Sequence, residues 1–138
     1  MTLSRPEILA AFHDRQVRCT PQRYTILDYL LRSRVHPTAE EIYSAINKRD
    51  PRASLATVYN SLHAMSKAGL IREVTVEGHA VRFESNTDKH HHFVCDKCGR
   101  VEDVDWFEIP QLKQQARLGR RTMRQYEIVM RGFCSSCK

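Results

Sequence analysis

The chain has 138 residues, of which 41% are hydrophobic and 28% are charged, and its formal net charge at pH 7 is +6. This composition is typical of one folded domain or two small ones, and it excludes a disordered chain. No apolar run approaches the ~20 residues of a membrane-spanning helix, and the first residues lack a secretory signal. We therefore expect a cytoplasmic protein with no membrane partner, whose basic surface favours polyanions such as nucleic acid.

Amphipathic patterns predict four helices in the first half of the chain. They cover residues 5–16, Thr20-Pro21 to Ser33, Thr38 to the break at Asp50-Pro51, and Ser54 to Gly69. Thr38 and Glu41 have the spacing of a capping box, in which two side chains satisfy the free backbone groups at a helix start. Gly69 occupies the position after a helix where glycine is favoured.

Two alternating segments, residues 70–76 and 80–85, flank Glu77-Gly78-His79 and predict a β-hairpin. Helices followed by a hairpin are the order of a winged helix-turn-helix, whose recognition helix enters the DNA major groove. The fourth helix is the recognition candidate, although a polar face on a surface helix is also the ordinary arrangement for a solvent-exposed helix.

We predict two kinds of DNA contact from this arrangement. Thr57, Tyr59 and Asn60 lie in the N-terminal half of the fourth helix and are expected to face the bases. Arg15, Arg18 and Arg52 are expected to contact phosphates.

The second half of the chain predicts a small α/β unit. A polar hinge at 85–88 precedes strands at 90–94 and 100–104, a helix from Pro110 to Leu118, and a strand from Gln125 to Arg131. A unit of this size rarely has a sufficient core, so it needs a metal, a partner subunit or both. We therefore expect an α+β protein with a winged-helix DNA-binding domain at 1–84 and a zinc-stapled dimerisation domain at 85–138.

Four of the five cysteines form two C-x-x-C pairs, Cys95/Cys98 and Cys134/Cys137. In a reducing compartment such pairs predict tetrahedral zinc bound by four thiolates. The alternative is one redox-active pair and a second pair that occurs by chance. The fifth cysteine, Cys19, has no partner in the sequence pattern, and we interpret it as a packing residue.

A second group of metal ligands is predicted from the histidines. His90 and His92 share one face of a strand because side chains alternate along it. Asp103 on the next strand, Glu84 at the end of the hairpin, and His36 are the further candidates. Such a site, with nitrogen and oxygen ligands and no thiolate, suits Fe2+, Mn2+, Co2+ or Zn2+. The alternative is a histidine-rich surface strand.

Four motifs occur in this chain in a recognisable order: His36-Pro-Thr-Ala-Glu-Glu-Ile-Tyr43, Ala56-Thr-Val-Tyr-Asn60, the His-x-His run into Cys95-x-x-Cys98-Gly, and Gly-Phe-Cys134-x-x-Cys137. Over residues 5–138 the chain resembles the ferric uptake regulator (Fur) family. The resemblance implies a homodimeric, metal-responsive transcriptional repressor that binds palindromic double-stranded operator DNA. It also implies structural Zn2+ in the four cysteines, and a regulatory Fe2+ or Mn2+ at the positions His36, Glu84, His90, His92 and Asp103.

The carboxylate ligands combine features of two branches of the family. Iron sensors typically have Glu at both carboxylate positions and peroxide-responsive (PerR) members have Asp, whereas this chain has Glu84 and Asp103. Asn60 resembles the peroxide branch, in which Fe2+ reacts with hydrogen peroxide and the histidines matching His36 and His90 are oxidised. We therefore expect a peroxide sensor.

Two alternatives remain: an iron or zinc uptake regulator of the same family and, more distantly, a metalloenzyme using the histidine and carboxylate site, although we expect no enzyme. A further sensor site of many iron regulators is expected to be absent, since its positions hold Lys89, His91 and Gln125.

Overall fold

The computed structural model describes residues 3–33, 35–114 and 118–137. The chain divides into two compact units, Met1–Thr87 (the N-terminal unit) and Asp88–Lys138 (the C-terminal unit). The N-terminal unit contains helices α1 (Arg5–Asp14), α2 (Pro21–Ser33), α3 (Ala39–Ile46) and α4 (Leu55–Lys67), followed by strands β1 (Arg72–Val74) and β2 (Arg82–Glu84). The C-terminal unit contains β3 (His90–Cys95), β4 (Val101–Asp105) and β5 (Val129–Gly132). The predicted α+β fold is confirmed.

Apolar stripes of the four helices meet in one core in the N-terminal unit. Its buried members are Ile8, Phe12, Ile26, Leu27, Leu30, Ala39, Ile42, Ile46, Val58, Leu62, Met65, Ile71 and Phe83. The helix starts follow the predicted cap chemistry: the Thr38 side chain accepts from the backbone N–H of Glu41, whose carboxylate returns to the Thr38 N–H. Gly69 adopts a φ of 82°, which a side chain would strain.

The hairpin of the N-terminal unit is shorter than predicted. Strands β1 and β2 pair antiparallel over three residues each, with Arg72 opposite Glu84, and residues 75–81 form a connecting loop. The outer edge of β2 is also occupied, because the Phe83 N–H donates to the Pro37 carbonyl at 2.9 Å and Thr38 bridges to Arg82. The loop before α3 therefore lies against the hairpin.

The C-terminal unit is built on a three-stranded sheet in the order β4-β3-β5, with β4 antiparallel and β5 parallel to β3. The predicted helix from Pro110 to Leu118 is wrong at its start: Pro110–Lys113 is a single 3₁₀ turn, and Gln114 is extended. Residues 115–117 of that prediction lie outside the described residues.

The last strand was predicted to begin at Gln125, but β5 begins at Val129. At Ile128 the N–H donates to the side chain of His91 at 3.0 Å and not to a neighbouring strand, while its carbonyl accepts from the N–H of His92 at 2.9 Å. Among the described residues, no helix is long and apolar enough to cross a membrane.

Candidate metal centres and DNA-binding surface

The two C-x-x-C pairs converge in the C-terminal unit. Cys95 ends β3, and Cys134 follows β5, which runs beside it. The four sulfur atoms of Cys95, Cys98, Cys134 and Cys137 all lie within 4.8 Å of one another. The Cys98 and Cys134 sulfurs are 3.8 Å apart. That separation equals the edge of a tetrahedron with zinc–sulfur bonds of ~2.3 Å, which is roughly 3.8 Å.

Backbone groups prepare this cluster for a cation. The N–H groups of Cys98 and Cys134 both donate to the Cys95 sulfur, at 3.4 Å each. These donors lower the pKa of Cys95 to about 6, so that its thiolate predominates at neutral pH. The neighbouring Cys134 sulfur, followed by burial, raises the pKa of Cys137 to about 12. A divalent cation supplies the positive charge that four adjacent thiolates need, and its binding displaces the remaining protons.

A second group of ligands also lies in the C-terminal unit, on β3 and β4. The strand period places His90 and His92 on one face, and their Nε2 atoms are 3.0 Å apart. Asp103 is directly opposite His92 in the antiparallel register, and its Oδ1 lies 3.2 Å from His90 Nε2 and 3.7 Å from His92 Nε2. His90 Nδ1 faces the Asp88 carbonyl at 2.5 Å. That contact places the ring proton on Nδ1 and directs the Nε2 lone pair towards the other ligands.

The remaining predicted ligands are a pair in the N-terminal unit. His36 precedes α3, Glu84 ends β2, and both are buried, with 7% and 3% of their surface exposed. The Nε2 atom of His36 and Oε2 of Glu84 are 2.8 Å apart. Arg82 stabilises this corner, because its Nη1 donates to the backbone carbonyl of His36 at 2.8 Å and lies 3.6 Å from the Glu41 carboxylate. Arg82 was not singled out by the sequence, since its two contacts are about 40 residues distant.

The predicted base-reading residues lie on α4, but they differ in availability. Thr57 is half-buried, and its hydroxyl accepts from the N-cap Ser54 hydroxyl at 3.0 Å. Tyr59 is 46% exposed, and its hydroxyl donates to Oε1 of Glu40 on α3 at 2.5 Å. Asn60 is exposed. Sequence reasoning missed Glu40, whose place in the first turn of α3 looks like ordinary helix-dipole chemistry.

The three predicted phosphate-binding arginines are not grouped at one end of α4. Arg15 lies at its C-terminal end, where Nη1 approaches the carbonyl of Ala68 at 3.5 Å. Arg18 is exposed and accepts a hydrogen bond at its carbonyl from Arg23. Arg52 is exposed in the turn before α4.

The turn that carries Arg52 is organised by one side chain, which sequence reasoning also missed. Asn47 Nδ2 donates to the carbonyls of Tyr43 and Ala53, and Asn47 Oδ1 accepts from the N–H groups of Arg52 and Ala53. Asparagine after a helix is the available signal, since its side chain readily bonds nearby backbone.

His91 points to the other side of β3 and is fully buried. Its ring stacks on Trp106, lies beside Phe107 and Tyr126, and has hydrogen-bond partners on both nitrogens. Nδ1 accepts from Ile128, so Nε2 must donate to the Phe107 carbonyl at 2.9 Å. His91 therefore packs as a neutral core histidine. Lys89 lies over the Trp106 ring at 4.1 Å, and Gln125 is exposed.

The winged helix, the four-cysteine cluster and the histidine–carboxylate groups define a metal-binding regulator of the winged-helix class. Residues 14–130 match the ferric uptake regulator family. The peroxide-responsive repressor PerR of Staphylococcus epidermidis is 37% identical over 136 residues, which are 96% of this chain and 89% of that protein. The chain belongs to the ferric uptake regulator family.

Two solved structures are similar along nearly the whole chain. The Vibrio cholerae ferric uptake regulator (Fur), described with a rearrangement of its DNA-binding domains, superposes with a TM-score of 0.72 at 27% identity and covers 91% of this chain and 98% of that one. PerR from Streptococcus pyogenes, described as a peroxide sensor and gene regulator, has a TM-score of 0.52 at 25% identity and covers 96% and 91% of the two chains.

Proposed function

We propose that this chain is a metal-dependent transcriptional repressor that senses peroxide. The observation that carries the proposal is the 37% identity to PerR along 96% of the chain, joined to the convergence of His90, His92 and Asp103 in the C-terminal unit. His36 and Glu84 of the N-terminal unit are the further proposed ligands. We propose that these five residues hold one Fe2+ or Mn2+ ion, whose binding favours the DNA-competent state.

The chemistry of the donors supports iron or manganese. Three imidazoles and two carboxylates provide nitrogen and oxygen ligands, which suit these ions, whereas the four thiolates suit zinc. When bound there, Fe2+ would supply the redox chemistry that breaks the O–O bond of peroxide, while the imidazole would be the net electron donor. Asp103 has the shorter carboxylate of the two proposed ligands, which would give peroxide access to the site. We propose that a ring C–H bond of His36 or His90 is converted to C–OH by one oxygen of hydrogen peroxide, that the other oxygen leaves as water, and that the altered ligand releases the metal.

The DNA-binding part of the proposal places α4 in the major groove, with Tyr59 and Asn60 facing bases. Arg15, Arg18 and Arg52 are proposed to contact phosphates, each adding to the salt dependence of binding. The chain is proposed to act as a homodimer on a palindromic operator. Exposed apolar side chains in the C-terminal unit, Phe107, Val129 and Phe133, support a partner surface there.

The deciding experiment measures operator affinity before and after stoichiometric peroxide, with the protein loaded with Fe2+ or Mn2+ and its structural zinc retained. We expect the iron form to lose affinity and to gain one oxygen atom on His36 or His90 by peptide mass spectrometry, while the manganese form is unaffected. The Asp103→Glu variant should keep metal-dependent binding but oxidise more slowly.

Glu84, the carboxylate typical of iron-sensing members, favours an iron uptake regulator without peroxide sensing as the second candidate. Unmodified histidines and intact DNA binding in the iron form after peroxide would select this candidate. Absence of sequence-specific DNA binding with every metal would reject both.

A further inference from the structure

On the exposed face of α4, Tyr59 makes a hydrogen bond to Glu40 in which donor and acceptor can be assigned. The Tyr59 hydroxyl and the Glu40 carboxylate are 2.5 Å apart. This bond is the largest influence on both groups: it lowers the pKa of Glu40 and raises the pKa of Tyr59. At neutral pH Glu40 is therefore ionised and can only accept, so the phenol proton of Tyr59 lies towards Glu40.

Because the Tyr59 proton is already donated to Glu40, the Tyr59 hydroxyl can bind only hydrogen-bond donors. A phenol has one proton, and the oxygen that remains can only accept hydrogen bonds. In the major groove the donors are the amino groups of adenine and cytosine, whereas guanine N7 and O6 and thymine O4 are acceptors. A Tyr59 hydroxyl that can only accept therefore pairs with the amino group of adenine or cytosine, and is repelled by the acceptors of guanine and thymine.

We infer that Glu40 is a specificity-determining residue, which acts by making Tyr59 a hydrogen-bond acceptor that selects an adenine or cytosine amino group. The inference rests on the proposed function, in which α4 is the recognition helix. Glu40 acts through Tyr59 and is a positioning residue. Its ionised carboxylate reinforces the selection, because it adds a second acceptor on the same side of the contact.

Glu40 has a second effect of opposite sign. Its negative charge at the DNA-facing surface opposes the phosphates, so its removal should strengthen overall binding while it weakens discrimination. A residue that only maintained the fold would lower both when it was removed. Stronger overall binding together with weaker base discrimination therefore distinguishes a positioning role of Glu40 from a structural one.

The test selects binding sites from randomised duplex DNA with the metal-loaded full chain. The variants are Tyr59→Phe, which removes the hydroxyl, and Glu40→Ala, which leaves the Tyr59 hydroxyl proton free to bond to another partner. Glu102→Ala in the C-terminal unit is the matched control, since it removes the same charge from a partly exposed glutamate. Ultraviolet titration of Glu40→Ala checks the bond itself, because the pKa of Tyr59 should fall towards its ordinary value.

We expect the unmodified chain to select adenine or cytosine over guanine or thymine by roughly tenfold at one position of each half-site, the effect of a single base contact. Tyr59→Phe should lose this preference. Glu40→Ala should accept all four bases there and bind the selected DNA more tightly, and Glu102→Ala should behave as the unmodified chain does.

Three results would overturn the inference while the proposed function stands. They are a Tyr59-dependent preference for guanine or thymine, an unchanged base preference in Glu40→Ala, and sequence selection that does not depend on Tyr59. If the unmodified chain selects no sequence with any metal, the proposed function fails, and the inference fails with it.

Discussion

Replacement of one zinc ligand should unfold one unit of this protein and leave the other folded. Cys98 is the best ligand to change, because it is exposed, whereas Cys95 and Cys134 are buried and would add a packing defect. Among the described residues, the buried apolar side chains of the C-terminal unit are Val94 and Val101, together with those two cysteines. The N-terminal unit has a cluster of thirteen buried residues. We therefore expect the fold of the C-terminal unit to depend on its metal.

The magnitude follows from the four-thiolate geometry. Structural zinc contributes roughly 10–16 kcal/mol of apparent binding free energy at neutral pH, which is also folding free energy. Averaged over the four ligands, this is about 3 kcal/mol for each thiolate, or roughly two orders of magnitude in zinc affinity. A loss of that size is roughly a fifth to three fifths of the total stability of a small domain, about 5–15 kcal/mol.

The assay combines metal analysis with hydrogen exchange on Cys98→Ser. We expect substoichiometric zinc, fast exchange in β3, β4 and β5, and native protection in α2 and α4. Cys19→Ser is the matched control, since Cys19 packs against the helical core and lies outside the zinc cluster. Full zinc content in Cys98→Ser, with unchanged protection of the three strands, would refute the argument.

Three further predictions concern single side chains. Asn47→Ala should lower the free energy of unfolding by roughly 2–3 kcal/mol, because it removes four hydrogen bonds; urea denaturation against Asn60→Ala, an exposed asparagine, measures this. His91→Ala should cost roughly 3–5 kcal/mol, because a buried ring and the acceptor for a backbone N–H are both lost; a calorimetric loss below about 1 kcal/mol would contradict it. The Tyr59–Glu40 bond should contribute stability between the two pKa values, lost as pH falls through the lowered pKa of Glu40 or rises through the raised pKa of Tyr59; identical pH profiles for the unmodified chain and Tyr59→Phe would exclude this.

Features controlled by neighbouring residues were predictable from the sequence. The capping box at Thr38 and Glu41 depends on four consecutive residues, and the structure contains it. The alternation that places His90 and His92 on one face depends only on the strand period. The cysteine spacing predicted a four-thiolate group, because each C-x-x-C turn directs two sulfurs to one point.

Predictions failed where distant residues compete for the same backbone groups. Gln125 to Ile128 looked like a strand, but the His91 side chain takes the N–H of Ile128. The segment after Pro110 looked like a helix, but it leaves the 3₁₀ turn at Gln114 in an extended conformation. Local propensity is a weak preference that tertiary contacts of a few kcal/mol readily override.

The sequence by itself determined which residue types can bind metal, which helices form in the N-terminal unit, and which face of α4 is polar. It could not determine the partners of those groups, because Glu40 and Tyr59 are 19 residues apart, and His36 and Glu84 are 48 apart. Only the tertiary structure brings each pair within hydrogen-bond distance. That proximity decides where the proton of Tyr59 lies, and so whether its hydroxyl can donate to a further partner or only accept.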